Sequence, residues 1–252
     1  MIHFVGAGCG AADLITVRGK ALLEQADVVI YAGSLVNPAL LEYKKEGCRV
    51  YNSAKMTLEE VLAVMLDAEA AGLVTVRLHT GDPCLYGAIR EQMDELDKRG
   101  VDYDYCPGVS AFSGAAAALK MEYTLPEVSQ SVVITRMAGR TAVPERESVR
   151  SFAAHGATMV LFLSAGLLQE TQNELLAGGY GPDTPAAIVY KASWPDERTC
   201  LCTVSTLADC AKENSISKTA LIIVGDAVQQ SGYARSRLYD PTFSTEYRPA
   251  KE

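Results

Sequence analysis

The segment VRLHTGDPCLYGAIREQ, residues 76–92, carries the residue types best suited to bind a ligand. It begins as an apolar, β-branched strand, breaks at Gly81-Asp82-Pro83 and continues with Leu85 and Ile89 at helical spacing. Glycine permits close backbone approach, aspartate offers acceptors and proline stiffens the exit. Because open α/β sheets bind ligands at the carboxyl ends of their strands, this loop is a candidate site. An ordinary strand-to-helix turn uses the same residue types.

Two further glycine-containing turns follow predicted strands, GAGCG at residues 6–10 and CPGVSA at residues 106–111. The first lacks the G-x-G-x-x-G spacing and the acidic residue of a dinucleotide fold, and no phosphate-binding loop with Lys and Ser/Thr is present. In the second, Ser110 is either part of a site or a plain helix N-cap. Turns after neighbouring parallel strands open on one edge of a sheet, so their convergence there is better evidence than any one turn.

Basic residues on predicted loops are candidates for binding carboxylates, although a solvated charged surface has the same composition. The net charge of -8 argues against nucleic acid as a partner, but it does not exclude an anionic small molecule. The candidates are Arg136, Arg140, Arg146, Lys191 and Arg198.

The remaining reactive residues exclude several chemistries. Seven cysteines are scattered without a C-x-x-C pair, which is typical of free thiols in the cytoplasm. Three histidines form no metal-binding spacing and no Ser-His-Asp set; His79 is either a ligand contact or a structural residue. Hydrolysis is disfavoured, whereas transfer from an already activated donor such as a sulfonium requires mainly alignment.

Strand and helix patterns alternate through the first half of the chain, which predicts a mostly parallel sheet. The strands are predicted at residues 2–5, 28–31, 74–79 and 103–106. The helices are predicted at residues 16–25, 57–71, 85–98 and 110–119, with Thr57 and Glu60 forming a capping box.

The pattern loosens near Pro126, and a second set of elements follows, so we expect two α/β domains, residues 1–120 and 121–252. A hairpin of residues 186–190 and 198–203 gives the second sheet a mixed character. Residues 137–147 lack a period and predict a long loop. The chain begins directly with an apolar strand, and no apolar run reaches the roughly 20 residues of a membrane span, so we expect a soluble cytoplasmic protein without a leader or membrane partner.

Several motifs together resemble the tetrapyrrole methylases, the class III S-adenosylmethionine (SAM) methyltransferases. They are FVGAGCGAADLIT at 4–16, ADVVIYAGSLV at 26–36, the 76–92 segment, CPGVSAF at 106–112, TLPEVSQSVVITR at 124–136 and IVYKASWPDE at 188–197. Residues 31–36, 140–147 and 192–195 are most similar to the members that methylate carbon 11 of precorrin-4 or cobalt-precorrin-4. The resemblance implies a homodimer with SAM in a cleft between two α/β domains and a tetrapyrrole as substrate.

The resemblance also assigns residues to each ligand. It places SAM, whose product is S-adenosylhomocysteine, at Thr80, Gly81, Asp82, Leu85, Ser110, Ala111, Ser164 and Ala192. The tetrapyrrole, which needs arginines for its carboxylates, is expected at Gly8, Tyr31, Ser34, Tyr86, Arg136, Arg140, Arg146, Lys191 and Arg198. No catalytic residue and no protein metal site is assigned.

Two departures from the family pattern limit what the resemblance carries over. Gly8-Cys9-Gly10-Ala11 stands where the family commonly has Gly-Pro-Gly-Asp, and Ala32 stands where sirohaem-forming relatives have an aspartate. Residues 86–89, YGAI, favour the cobalt-containing substrate of the anaerobic route. The alternatives are metal-free precorrin-4, another substrate of the same family, or a tetrapyrrole carrier or sensor without catalysis.

Overall fold

The computed structural model describes residues 1–251, with only the backbone of Ser34. Over this range the chain forms ten strands and seven α-helices in two five-stranded sheets. It divides into two compact units: unit 1 contains Met1–Ala115 and Lys191–Glu197, and unit 2 contains Ala116–Tyr190 and the residues from Arg198 onwards. The α/β class with a parallel and a mixed sheet is confirmed.

Unit 1 is built on a wholly parallel sheet in the order β3-β2-β4-β1-β5. The strands are β1 Ile2–Gly6, β2 Val28–Tyr31, β3 Arg49–Asn52, β4 Thr75–His79 and β5 Tyr103–Cys106. The helices are α1 Val17–Gln25, α2 Leu58–Ala70, α3 Arg90–Asp97 and α4 Ala111–Leu119, the last of which extends into unit 2.

Alternation along the strands divides unit 1 into two apolar layers. Val5, Val29, Val76 and Leu78 lie in one cluster, while Phe4 and Ile30 lie in a second cluster with side chains of α2 and α3. The predicted capping box starts α2: Glu60 N–H donates to Thr57 Oγ1 at 3.3 Å, and Thr57 N–H donates to Glu60 Oε2 at 2.7 Å. Along β4, the even-numbered residues Val76 and Leu78 face the first layer. The odd-numbered residues face the layer that contains α2 and α3, where Arg77 bonds to Gln92.

Unit 2 has a mixed sheet in the order β6-β7-β10-β8-β9. Its strands are β6 Val132–Arg136, β7 Thr158–Phe162, β8 Pro185–Tyr190, β9 Arg198–Thr203 and β10 Ala220–Val224, and its helices are α5 Val149–Ala153, α6 Leu168–Gly178 and α7 Leu207–Glu213. β8 and β9 pair antiparallel, which confirms the predicted hairpin, and β10 is antiparallel to both of its neighbours.

Two local predictions were wrong. β3 was not predicted, because it is a short edge strand whose residues Arg49 and Val50 are exposed and show no buried run. The helix expected from Leu85 begins only at Arg90, since Tyr86 and Ala88 have φ angles of 59° and 48°, outside the right-handed helical region. Among residues 1–251, no helix combines the length and apolar character needed to cross a bilayer.

Candidate active site

Three turns meet at the carboxyl edge of the parallel sheet, as the sequence predicts. β1 lies between β4 and β5, so the turns after these strands are neighbours. Gly8 and Gly81 bond to each other through both of their backbone polar groups, at 3.2 and 2.9 Å. A Cβ added to Gly6 would stand 2.6 Å from Gly108 Cα and 2.7 Å from Gly81 O. Only glycine permits this backbone approach.

The Asp82 carboxylate fastens the turn after β4 to the turn after β5. Its Oδ1 accepts the N–H of Cys84 at 2.9 Å and the hydroxyl of Tyr105, and its Oδ2 accepts the N–H of Gly108 at 3.0 Å. Burial by itself raises the pKa of Asp82, but the bonds from Tyr105, Cys84 and Gly108 outweigh it and hold the pKa below its ordinary value. Asp82 is therefore an ionised anchor for these loops.

The neighbouring Tyr105 and Cys84 remain protonated. Burial, and then the bond to Asp82, raises the pKa of Tyr105, so its hydroxyl stays a donor. Cys84 is an exposed residue, but partial burial of its thiol, followed by the hydrogen bond and the charge of Asp82, raises its pKa. A thiolate nucleophile is not favoured at this position.

The residues assigned to SAM by resemblance fall mostly together in unit 1. A Cβ on Gly81 would lie 3.3 Å from Ala111 N and 3.7 Å from Ser110 Cα, and Thr80 and Leu85 flank the same turn. Ala192 also lies against α4, with its Cβ 3.4 Å from a Cβ built on Gly114. The structure thus brings seven of the eight residues to one end of the parallel sheet.

Ser164 belongs to unit 2 and follows β7. It is fully buried, and its hydroxyl accepts Met137 N–H at 2.9 Å and donates to Phe162 O at 2.7 Å. The preceding Leu163 has a φ of 52° and is 66% exposed. Ser164 therefore links the ends of β6 and β7 and fixes the turn between them.

The 191–197 segment packs on the first glycine turn within unit 1. Ser193 Oγ accepts the N–H of Ala11 at 2.9 Å, and a Cβ on Gly10 would stand 2.4 Å from Ala192 O. Lys191 Nζ lies 2.6 Å from Asp196 Oδ2 and 5.4 Å from the ring centre of Trp194. The close packing explains why glycine is needed in residues 6–10 without a phosphate ligand.

The four arginines expected to bind the tetrapyrrole lie in unit 2 and have different environments. Arg136 donates to the carbonyls of Met137, Thr141 and Ala142 at 3.2, 3.2 and 2.9 Å, which holds the loop after β6. Arg198 donates to Asn214 O at 2.8 Å and covers the Tyr190 ring. Arg140 and Arg146 are exposed on the loop, the latter 3.6 Å from Glu147.

Tyr31 and Tyr86 were expected to contact the macrocycle, together with Ser34. Tyr31 ends β2, and its carbonyl accepts the Ser53 hydroxyl at 3.1 Å. Tyr86 is 45% exposed and lines a cavity of about 270 Å³ at the carboxyl edge of unit 1. The side chain of Ser34 lies outside the described part of the chain.

The cavity is lined by polar residues that the sequence did not assign to a ligand. Ala32 and Ser53 line it beside Thr80 and Leu85, and its inner wall contains Arg77, His79 and Gln92. The detectable signal was the alternation of Thr75, Arg77 and His79 in an otherwise apolar central strand. Tyr105 had no such signal, because its contact with Asp82 depends on the pairing of β1 with β4 and β5.

Comparison with known proteins agrees with this geometry. A family model described as Tetrapyrrole (Corrin/Porphyrin) Methylases matches residues 1–208. This chain belongs to the tetrapyrrole methylase family. It is therefore a SAM-dependent methyltransferase, which confirms the expected enzyme class and cofactor.

Individual relatives match along nearly the whole chain. A cobalt-precorrin-4 C(11)-methyltransferase of Methanocaldococcus jannaschii is 53% identical over 98% of this chain and 95% of its own. A precorrin-4 C(11)-methyltransferase of Sinorhizobium sp is 45% identical over 98% of both chains. The solved structure of a cobalt precorrin-4 methyltransferase superposes with a TM-score of 0.88 at 47% identity, covering 90% of this chain and 95% of that one.

Proposed function

We propose that this methylase transfers the methyl group of SAM to carbon 11 of cobalt-precorrin-4, in the anaerobic route to cobalamin. The observation that carries the proposal is the 53% identity, over 98% of the chain, to a relative with that printed activity. The 45% identity to a relative named for metal-free precorrin-4 makes the aerobic substrate the second candidate. Membership of a methylase family favours an enzyme over a carrier or sensor.

The proposed SAM site is the turn of Thr80, Gly81, Asp82 and Leu85 with Ser110, Ala111 and Ala192; Ser164 stays a prediction from the resemblance. The residues fit such a ligand, because Gly81 at a φ of 61° leaves the α4 start free of a side chain. Asp82 already accepts three hydrogen bonds from the protein, so we assign it a positioning role. It holds the turn in the shape that SAM meets.

The proposed chemistry needs little from the protein beyond alignment and exclusion of water. SAM supplies a sulfonium-bound methyl group that is already activated. The nucleophilic ring carbon forms the new C–C bond as the S–C bond breaks, and the electron pair of that bond stays on sulfur. The glycine turns fix the loop geometry for this in-line approach, and no protein nucleophile is required.

The tetrapyrrole is proposed to contact Gly8, Tyr31, Ser34 and Tyr86 in unit 1 and the basic residues Arg136, Arg140, Arg146, Lys191 and Arg198. The support is chemical: Arg136 and Arg198 use only neutral carbonyl acceptors, so their charges can still attract substrate carboxylates. For Gly8 the contact is one of shape, since Gly81 uses both its backbone polar groups.

Parallel incubations with cobalt-precorrin-4 and metal-free precorrin-4 test the function. Each would contain purified protein and SAM labelled with ¹³C in the methyl group. We expect the cobalt substrate to gain one methyl group, which NMR places on carbon 11, with a higher kcat/KM than the metal-free compound. Methylation at another carbon, or preference for the metal-free substrate, would contradict the proposal.

We further propose a cytoplasmic homodimer without nucleic acid or membrane partners. Seven free cysteines among the described residues are consistent with a reducing compartment, and the net charge of -8 disfavours nucleic acid. Light scattering coupled to gel filtration should give the mass of two chains. A monomer at micromolar concentration would contradict the dimer.

A further inference from the structure

The inner wall of the unit 1 cavity contains a buried cation without an anionic partner. Arg77 is only 6% exposed. Its Nε donates to Gln92 Oε1 at 3.0 Å and its Nη1 to Ile30 O at 3.2 Å, both neutral acceptors. Among residues 1–251, no carboxylate forms an ion pair with it. Burial lowers the pKa of Arg77 to about 10, so the guanidinium is charged at neutral pH.

His79 lies two residues further along β4, on the same face of the sheet, and lines the same cavity. It is 4% exposed, and its buried Nε2 atom has no hydrogen-bond partner within the described chain. Burial, followed by the charge of Arg77, lowers the pKa of His79 to about 3, so the ring is neutral and carries one N–H donor. A buried polar group without a partner is costly unless a ligand supplies one.

We infer that Arg77 and His79 form a subsite for one carboxylate side chain of the tetrapyrrole. The inference rests on the proposed function, because it requires an anionic substrate that enters this cavity. A carboxylate would neutralise the guanidinium and accept the unused N–H groups. The cavity of about 270 Å³ accommodates an acetate or propionate arm but not the macrocycle, which would lie outside it near Tyr86.

The cavity borders the proposed SAM site at Thr80 and Leu85 but extends away from the rest of that site. Ala32 and Ser53 line the cavity at the ends of β2 and β3, on one side of β4. Ser110 and Ala111 lie beyond β1 and β5, on the other side. The SAM carboxylate is therefore the less suitable occupant. Glu91, the acidic residue among the lining side chains, is exposed at the rim.

The subsite is also connected to the loop that carries Tyr86. Gln92 accepts from Arg77 and donates from Nε2 to Ala88 O at 2.8 Å. Ala88 holds a φ of 48°, a conformation that needs support from its surroundings. Binding of a carboxylate at Arg77 would thus reinforce the turn next to the reacting centre.

Steady-state kinetics of Arg77→Gln and Arg77→Lys test the subsite. Arg99→Gln is the matched control, because it also removes an arginine charge, but one that pairs with Glu95 on the surface. We expect the KM for cobalt-precorrin-4 to rise roughly 10- to 100-fold in Arg77→Gln and less in Arg77→Lys, because charged hydrogen bonds of this kind are lost. The KM for SAM and the calorimetric Kd for S-adenosylhomocysteine should stay within about two-fold, as should all constants of Arg99→Gln.

Each other outcome overturns the inference. A rise confined to the KM of SAM would assign the subsite to the SAM carboxylate, and unchanged constants would make Arg77 structural. Absence of turnover by the unmodified protein would instead contradict the proposed function.

A second measurement observes the subsite in the unmodified protein and uses a variant only to assign the signals. The ¹⁵N spectrum of the three histidine rings in the unmodified protein, assigned with His79→Gln, should show His79 signals that shift on adding cobalt-precorrin-4 with S-adenosylhomocysteine. S-adenosylhomocysteine alone should leave them in place. His79 signals that do not respond to the tetrapyrrole would overturn the subsite.

Discussion

The turn after β1 and the turn after β4 both contain glycines but have different structural roles. In the first, glycines at positions 6 and 10 leave room for the backbone of other segments, namely Gly108 Cα and Ala192 O. In the second, Asp82 binds three donors while Tyr86 and Ala88 adopt positive φ angles next to a cavity. The first turn is a packing junction, and the second is the loop that lines the cavity.

This comparison shows that glycine content does not identify a cofactor loop. A glycine that faces backbone is required by sterics, whereas a strained non-glycine residue must be held by its surroundings. The polar groups of Gly8 are fully used by Gly81, while those of the cavity wall are not. Unused polar groups in a concave surface are the better indicator of a ligand.

Gly6→Ala should have the largest effect and tests the packing role of the first turn. The new Cβ would stand 2.6 Å from Gly108 Cα and 2.7 Å from Gly81 O, both backbone atoms that cannot rotate away. We expect a loss of roughly 3 kcal/mol in the free energy of unfolding, measured by urea denaturation. Gly181→Ala is the control, since its Cβ would meet Thr184 Oγ1 at an ordinary 3.6 Å. Equal stability of the two variants would refute the packing role.

Asp82→Asn should have the next largest effect and tests the anchoring of the second turn. An amide accepts less strongly from Tyr105 and Gly108, so we expect the KM for SAM to rise roughly 10-fold. Tyr105→Phe, which removes one donor and keeps the carboxylate, should give a smaller rise in the same constant. A SAM KM that is unchanged in both variants would show that the network does not position the turn.

Asp82→Asn also tests how the stability of the protein depends on pH. The folded pKa of Asp82 lies below the ordinary value of 3.8, so the ionised carboxylate stabilises the folded state above that pH. We expect the stability advantage of the unmodified protein over Asp82→Asn to be present at neutral pH and to disappear as the pH falls through the folded pKa. Denaturation midpoints measured between neutral and acid pH check this, and an advantage that grows in acid would contradict it.

Cys84→Ser should have the smallest effect. The thiol is exposed and its pKa is raised, so it stays protonated and is a poor nucleophile at neutral pH. We expect kcat to stay within roughly two-fold of the unmodified value, and alkylation of Cys84 to be slow at neutral pH. A large loss of kcat together with rapid alkylation would assign it a catalytic role.

Much of the fold could be predicted because the signals are local. The strands Val28–Tyr31 and Tyr103–Cys106 begin and end at the predicted residues, and the capping box at Thr57 marks the start of α2. The edge strand Arg49–Asn52 could not be recognised, since half of its residues are exposed. The late start of α3 depends on positive φ angles that no residue type at positions 86 and 88 signals.

Only the part of the candidate site that follows strand ends could be predicted from the sequence. The Gly-Asp-Pro loop and the α4 start follow strand ends in the sequence, so their meeting required only a parallel sheet. The contact of Tyr105 with Asp82 spans 23 residues and depends on strand order. Arg77 was overlooked because an arginine in a strand usually faces solvent.

The sequence by itself determined the α/β class, the turns at the sheet edge and the family, because residue type, period and motif order are properties of the chain. Only the tertiary structure decided that residues 6–10 pack against backbone, that Asp82 anchors two turns, and that Arg77 and His79 face a cavity. Those facts depend on which strands become neighbours. Non-local pairing decides that Gly6 packs against backbone and that His79 lines a cavity with an unsatisfied ring nitrogen.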